Sequence, residues 1–373
     1  MSRVLIVASH VDSLINFRGD LICYLRDCGH EVLAVAPGVA PDVDRRLESW
    51  GVRRLSVRLE RTGLSFFSDL RTLLGLRHLM LAEKPDIVLT YTIKPVIYGS
   101  IAAWTVGVPH RAAMITGLGY AFAPSSTIFQ YLVRGGARLL YKAAMMCAHT
   151  VFFQNPDDQA DFERLGLLSG SQRVVQIAGS GVNLDRFAAL PLINGPMRFL
   201  MIARLLVEKG VREYINAAAL VRQIRPDLSF HLVGPFEDHP SAVSREEVQS
   251  AVHKGDLIYH GATSDVRPFL ADCHVFVLPS YREGTPRTVL EAMAVGRPVI
   301  TTNAPGCRET VISGENGFLV ESQQVQPLVD AMLLIAELPS EEIRRMAVRS
   351  RAQVEARFDV NIVNEQIAKV LAL

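Results

Sequence analysis

The strongest constraint on this chain is a strand signature that runs straight into a helix start. Val275-Phe-Val-Leu278 is a short apolar and β-branched run closed by Pro279 and Ser280, the pattern of a central strand in a parallel sheet. Gly284-Thr-Pro286 follows, and then Arg287-Thr-Val-Leu-Glu-Ala-Met-Ala-Val-Gly296-Arg-Pro298. Gly284 admits a close backbone approach, Thr285 is a capping residue, and Pro286 suits the first helical position, where its missing N–H costs nothing. Gly296 closes the helix. A strand, a turn and a helix N-terminus in this order present N–H groups and the positive end of a macrodipole beyond the strand end. An anion is the natural guest.

Two acids flank that place. Glu283 lies in the turn, and Glu291 falls about two turns into the helix among the apolar residues Val289, Leu290, Ala292 and Met293. Spacing alone leaves two readings, an ordinary solvated helix glutamate or a carboxylate held for a purpose. The stretch resembles the E-x7-E signature of the retaining glycosyltransferases of family four, with Pro-Ser before it and Glu-Ala-Met-Ala-x-Gly-x-Pro-Val after it. The resemblance extends over most of the chain. It implies an α/β fold of GT-B architecture, two doubly wound Rossmann-like domains facing a cleft. It also implies that Glu291 holds the ribose hydroxyls of a nucleotide sugar. Glu283 would contact the transferred sugar and the diphosphate, with Gly284, Thr285, Arg287 and Thr288 completing that side of the donor site.

Composition narrows the class. A length of 373 residues suits two domains better than one core. A formal net charge of +1 gives no ground for a nucleic-acid partner, yet residues 45–142 hold 14 Lys and Arg against 5 Asp and Glu, a basic surface on the first domain. Five cysteines without a C-x-x-C pair fit a reduced, cytoplasmic setting. No histidine is spaced with Cys, Asp or Glu as a ligand set, so no metal site is expected. Residues 1–8 run directly into a strand without a secretory apolar region, and no apolar run reaches transmembrane length.

The first half opens with an apolar run at 4–8, a helix expected from 14 to 28 and a strand at 31–36, a βαβ unit. The loop between, Ser9-His-Val-Asp-Ser13, carries no G-x-G-x-x-G and disfavours a dehydrogenase-type dinucleotide site. Further strands are expected at 52–59, 86–90, 110–115, 149–153 and 173–177, which makes a doubly wound domain. The strand-end loops gather His10, Asp12, Asn16 and Arg18, then Thr92 and Lys94, then Thr116, Gly117 and Gly119. Each alone is better read as a capping or turn residue. Arg18 and Lys94 draw attention because a long cation at such a place suits a phosphate. In the resembled family this domain binds the acceptor.

Residues 64–80 and 128–142 combine bulky apolar side chains with cations at helical spacing. That is the composition of an interfacial helix and also of a helix packed on a sheet with one wet face. The basic excess and the resemblance together favour peripheral binding at an anionic leaflet.

A hinge follows at Gly179-Ser-Gly-Val-Asn-Leu-Asp-Arg-Phe187, and Leu190-Pro-Leu-Ile-Asn-Gly-Pro196 reads as a linker. The expected division is 1–187 for the acceptor-binding domain, 188–196 for the linker, 197–355 for the nucleotide-sugar-binding domain and 356–373 for a helix crossing back to the first. After a strand at 198–203, Arg204-Leu-Leu-Val-Glu-Lys209-Gly210 puts a cation at each end of a short loop, with a helix expected to open at Glu208 or Lys209. Alone this is a weak R-x4-K pattern. It matches the family's R-x4-K-G element, which implies that Arg204 and Lys209 stabilise the leaving diphosphate. By the same resemblance Tyr259 and His260 line the base pocket. Pro305-Gly-Cys-Arg308 is read as a further helix start beside the anion site.

The resemblance as a whole implies a metal-independent retaining transferase that uses a UDP-sugar as substrate and needs no cofactor. Asn16-Phe-Arg18, Thr92-Ile-Lys-Pro, Phe153-Gln-Asn-Pro156 and Pro305-Gly-Cys-Arg308 look most like the bacterial subgroup that extends undecaprenyl-diphosphate-linked sugars at the inner face of the plasma membrane. Arg204, Lys209 and Glu283 would carry catalysis. His10, Asn16, Arg18, Thr92, Lys94, Thr116 and Gly117 would meet the lipid-linked acceptor. Three rivals share the same residues: a UDP-sugar 2-epimerase of the same architecture, a soluble transferase with a non-lipid acceptor, and a silent nucleotide-sugar-binding protein.

Overall fold

The computed structural model describes residues 1–60, 66–118 and 128–373, with side chains described for all of these except Phe66 and 128–134. Gly119 and the first two residues of the 64–80 segment lie outside the described residues. Two compact units result. Met1–Ser180 joins Val360–Leu373 in the first, and Gly181–Asp359 forms the second.

The first unit runs β1 (Arg3–Val7), α1 (Val11–Asn16), α2 (Gly19–Asp27), β2 (Glu31–Ala36), α3 (Pro41–Ser49), β3 (Arg53–Ser56), α4 (Phe66–Glu83), β4 (Ile87–Tyr91), α5 (Ser100–Thr105), β5 (His110–Ile115), α6 (Ile128–Cys147), β6 (Thr150–Phe153), α7 (Pro156–Arg164) and β7 (Arg173–Gln176). The strands form one parallel sheet in the order β3-β2-β1-β4-β5-β6-β7. Alternate residues of β1 go to opposite faces, as the two-residue period of a strand requires. Leu5 and Val7 pack with Leu76 and Met80 of α4, Ala102 of α5 and Tyr141 of α6. Val4 and Ile6 pack with Leu21 and Leu25 of α2 and Leu47 of α3. Both faces are covered, which is why these strands read as unbroken apolar runs.

The second unit runs β8 (Arg198–Ile202), α8 (Val211–Ile224), β9 (Ser229–Val233), α9 (Arg245–His253), β10 (Ile258–Tyr259), α10 (Arg267–Ala271), β11 (Val275–Leu278), α11 (Arg287–Ala294), β12 (Val299–Thr302), β13 (Gly317–Val320), α12 (Val325–Glu337) and α13 (Ser340–Gln353). Its parallel sheet has the order β10-β9-β8-β11-β12-β13. A last helix, α14 (Val360–Leu371), sends Val363, Ile367 and Leu371 into the core of the first unit.

The unit boundary differs from the expected 187. It falls at Ser180 because Phe187 is buried, its carbonyl accepts from Arg351 Nη1 of α13 at 2.9 Å, and Val182 N donates to Phe358 O at 2.8 Å. The second boundary lies at Asp359 rather than 355, since the chain continues from α13 through a π-helical turn at Val354–Phe358. Arg297 fastens the linker. Fully buried, it donates to the carbonyls of Leu190, Pro191, Leu270 and Ala271, which satisfy a cation that burial would otherwise penalise.

The expected helix at 14–28 is two helices. Arg18 leaves helical geometry at φ −125°, ψ 0° and caps α2, with Ile22 N on its carbonyl at 2.8 Å. A Cβ at Gly19 would lie 3.0 Å from the Trp50 ring, so the second helix packs where only glycine fits comfortably.

In both sheets the strand order reverses once, between β1 and β4 and between β8 and β11. Open α/β sheets bind ligands beyond the carboxyl ends of the strands at these switch points.

Candidate active site

At the switch point of the second sheet the loop after β8 and the loop after β11 are fastened to each other. Tyr281 N and Ser280 Oγ both donate to the carbonyl of Glu208, at 2.9 and 3.0 Å. Gly210 sits at φ 74°, and a Cβ there would lie 2.1 Å from Pro279 O. No other residue combines that dihedral with that approach. The helix expected to open at Glu208 or Lys209 begins at Val211 for this reason, and Val207–Lys209 is a single 3-10 turn.

The turn aims Lys209 at Glu283. Its Nζ lies 2.5 Å from Glu283 Oε1, and Ser280 Oγ lies 2.8 Å from the same oxygen, its single proton shared between Glu283 and the Glu208 carbonyl. Both side chains keep a little exposure, 19% and 14%, so the pair is screened by protein yet reachable by a ligand. Arg204, at the other end of the loop, is more open. It stands 4.0 Å from Glu237 with its side chain 43% exposed, a contact too loose and wet to hold the guanidinium.

A third loop, after β12, supports the turn from below. Glu283 N donates to Pro305 O at 2.9 Å, and Gly306, at φ 80°, leaves room where a Cβ would lie 2.2 Å from Glu283 O. The helix start expected at Pro305 amounts to one 3-10 turn, Arg308–Thr310. Cys307 is buried beneath it, and burial, reinforced by the Glu283 charge, pushes its thiol up to about 12.

The helix α11 begins one residue later than the sequence implies. Pro286 occupies the N-cap with no side-chain cap bond, so Thr285 is not the cap. Arg287 therefore holds the first helical position and Glu291 lies one turn on, with Arg287 Nε 2.9 Å from Glu291 Oε1. Glu291 is 7% exposed, which removes the solvated-glutamate reading. Burial raises its carboxyl pKa, opposed by the cations of Arg287 and Arg186 and abetted by Asp265. Among the described residues no other hydrogen bond reaches this carboxylate, and Oε2 is left for a ligand.

Two family models match the chain. One, described as glycosyl transferases group 1, covers residues 196–337, and a glycosyl transferase 4-like domain covers 17–179. Together the two models span most of the chain, which is a glycosyltransferase. It is 29% identical to the N,N'-diacetylbacillosaminyl-diphospho-undecaprenol alpha-1,3-N-acetylgalactosaminyltransferase of Campylobacter jejuni, over 96% of this chain and 95% of that one. It is 28% identical to the UDP-Gal:alpha-D-GlcNAc-diphosphoundecaprenol alpha-1,3-galactosyltransferase of Escherichia coli, over 74% and 72%. Among solved structures, Anabaena HepE in complex with UDP and glucose superposes with a TM-score of 0.77 at 19% identity, covering both chains fully. The transferase has the two-domain GT-B fold and is an enzyme of the hexosyltransferase class.

The other residues expected on the donor side are held by neighbours. Tyr259 donates through its hydroxyl to Gly234 O at 2.8 Å. His260 stacks on His231 with ring centroids 5.2 Å apart and 9° between planes, Nε2 facing Nδ1 at 2.9 Å. Burial and the neighbouring His260 lower His231 to about 4, and burial lowers His260 as well. Asp265 is held down at about 2 by its hydrogen bond from Arg267. Gly284 and Thr288 lie in the turn and the first turn of α11.

On the first unit the polar loop residues separate. Lys94 was expected as a phosphate-seeking cation. Instead it is buried, with Nζ 2.8 Å from Asp69 Oδ1 of α4, because its backbone enters the π-helical turn Pro95–Gly99 that packs against that helix. Tyr98, in that turn, is bonded to the same carboxylate and has its phenol pKa raised, burial first and Asp69 second. Arg18 is also buried, its guanidinium 5.0 Å from the Tyr91 ring centre and Nη1 3.0 Å from Ser180 Oγ. Thr92 takes φ 67° and donates to Ser9 Oγ at 2.8 Å. His10, at the cap of α1, is half-exposed and 3.6 Å from Asp12, while Asn16 is exposed. Thr116 and Gly117 follow β5, with Gly117 at φ 124°.

Some site-building residues were given no role by sequence. Arg186 emerges only from the geometry, while Ser280 and Gly306 lie inside motif stretches whose geometry gives them their part. The signal for Ser280 was available, a hydroxyl three residues before an acid in a turn.

Proposed function

We propose that the chain is a retaining, metal-independent transferase that moves a hexose or N-acetylhexosamine from a UDP-sugar to an undecaprenyl-diphosphate-linked saccharide in bacterial glycan assembly. The observation that carries the reading is the convergence, at one switch point, of Lys209, Glu283 and the α11 N-terminus with the buried, half-satisfied carboxylate of Glu291. A carboxylate with one committed oxygen accepts ribose hydroxyls, and the cations with the helix end suit a diphosphate. Two relatives are named for acceptors on diphosphoundecaprenol, one of them for a UDP-galactose donor, and HepE was crystallised with UDP and glucose.

Chemistry follows from charge. When the anomeric C–O bond to the diphosphate breaks, negative charge grows on the leaving oxygen, and Lys209, Arg204 and the α11 dipole lie on the elements that meet it. The acceptor oxygen forms its new bond on the same face, and its proton passes to the leaving phosphate. Glu283, engaged by Lys209 and Ser280, is a poor nucleophile in this state and serves to orient the lysine. No cluster of three or more His, Cys, Asp or Glu groups fit for a metal ion occurs among the described residues. In this reading the protein cations take the role of balancing the diphosphate.

Peripheral docking at the inner leaflet completes the reading. Among the described residues no helix is long and apolar enough to cross a membrane. The outer face of α4 exposes Phe67, Leu70, Leu74 and Leu81 beside Arg71, Arg77 and His78, with no exposed carboxylate between them. Apolar side chains interspersed with cations favour an anionic interface.

Incubation with UDP-, GDP- and ADP-sugars in EDTA, with and without undecaprenyl-diphosphate-saccharide acceptors, tests the proposal through nucleotide release. UDP release that rises with the lipid acceptor and survives EDTA is expected. Epimerised donor without lipid, dependence on a divalent ion, or transfer to water-soluble acceptors alone would overturn the corresponding part.

A further inference from the structure

Arg287 and Glu291 share one face of α11, one turn apart, with side chains only 17% and 9% exposed. Of the Glu291 carboxylate the guanidinium grips one oxygen, Oε1, through Nε. A one-sided grip fixes the plane of the carboxylate while leaving Oε2 and one lone pair of Oε1 uncommitted. We infer that Arg287 is a positioning residue that acts on the donor through Glu291, fixing that carboxylate as an oriented, ionised acceptor for the vicinal hydroxyls of the nucleotide ribose. The inference rests on the donor site proposed above and assigns Arg287 a place behind Glu291 rather than against the phosphates.

The need for such a residue follows from the surroundings. Glu291 stands among Val289, Leu290, Ala292 and Met293, all buried, and burial disfavours its charge. The charged groups that face it are Arg287 on its own helix, Arg186 from the segment before Phe187, and Asp265 from the loop after β10, the last held by Arg267. Asp265 opposes ionisation and the two arginines favour it, with Arg287 the larger. A protonated carboxyl would give up the charge-assisted acceptance that makes a ribose contact selective. Removing Arg287 should raise the carboxyl pKa, so the acid form appears at higher pH.

The test is calorimetric titration of UDP and of 2′-deoxy-UDP into the full chain as wild type, R287L, R287Q, E291Q and R287L/E291Q, at about pH 8 and about pH 5.5, one well above the ordinary carboxylate range and one nearer to it. Wild type should prefer UDP to its 2′-deoxy analogue. R287L should weaken UDP about tenfold, reduce that preference, and lose affinity more steeply than wild type as pH falls. Added to E291Q, R287L should change little, because its only route to the ligand is gone. R287Q keeps an N–H donor without the charge, so it should retain the preference at high pH and lose it at low pH. It also stands in if R287L fails to fold. Equal losses from R287L in the wild-type and E291Q backgrounds, or a loss with the wild-type pH profile, would overturn the inference and leave the donor site standing. Wild type that binds no UDP would overturn the donor site itself.

Discussion

Lys209 Nζ and Glu283 Oε1 meet at 2.5 Å across the switch point of the second sheet, joining residues 74 positions apart in sequence. The pair is the one direct side-chain ion pair between the loops after β8 and β11 among the described residues. Replacing Lys209 by alanine should lower kcat about a hundredfold while UDP affinity changes less than tenfold, since a charge aimed at the leaving group matters most in the transition state. Initial rates beside UDP titrations check this. An unchanged kcat would remove Lys209 from the chemistry.

Glu291→Ala should act on the other term. Loss of a charged acceptor for a ligand hydroxyl costs about 1.5 to 3 kcal/mol, so UDP should bind at least about tenfold more weakly. Unchanged affinity would remove Glu291 from the nucleotide site.

The buried pair of Lys94 and Asp69 predicts a stability effect where the sequence predicts a ligand effect. Lys94→Ala strands the Asp69 carboxylate in the core and should cost about 3 kcal/mol, read in urea unfolding, whereas K94M with D69L should recover most of it. A stable K94A with a raised acceptor KM would restore Lys94 to the acceptor site.

Gly210→Ala meets Pro279 O at 2.1 Å and a left-handed backbone at once. The loop must shift, carrying Lys209 away from Glu283. Loss of stability of about 2 kcal/mol or more, together with loss of turnover, is expected from thermal melts and rates.

His231 sets an acid limit on the second unit. Its pKa lies near 4 when folded and near the ordinary 6.5 when unfolded, so between those values the unfolded chain binds the extra proton. Stability is fully present above 6.5 and falls as pH drops towards 4. His231→Gln should flatten that decline in a series of melts over pH, and an identical slope would assign the loss to other groups.

The architecture was legible because both sheets are parallel and buried on both faces, which leaves runs such as Val275–Leu278 with no polar member. Motif residues were legible for a related reason, since the strand-to-helix turn fixes Glu283 and Glu291 locally. Partners were not. Lys94 reads as a free cation until α4 brings Asp69 alongside, and nothing local announces a contact 25 residues away. The break at Arg18 is equally hidden, and so is the packing of Trp50 beside Gly19 that follows it, since neither is announced by local sequence. The helix start expected at Glu208 shifted because a close backbone approach at Gly210, not propensity, decided it.

The two pairs of the proposed donor site ask different things of the folding chain. Arg287 and Glu291, four residues apart, come together once α11 packs its own apolar side, whereas Lys209 and Glu283 require β8 and β11 to be registered in one sheet. Contacts of long sequence separation close late and open early. Under mild denaturant, turnover should therefore disappear before the nucleotide is released, leaving an enzyme that still holds its substrate but no longer breaks it.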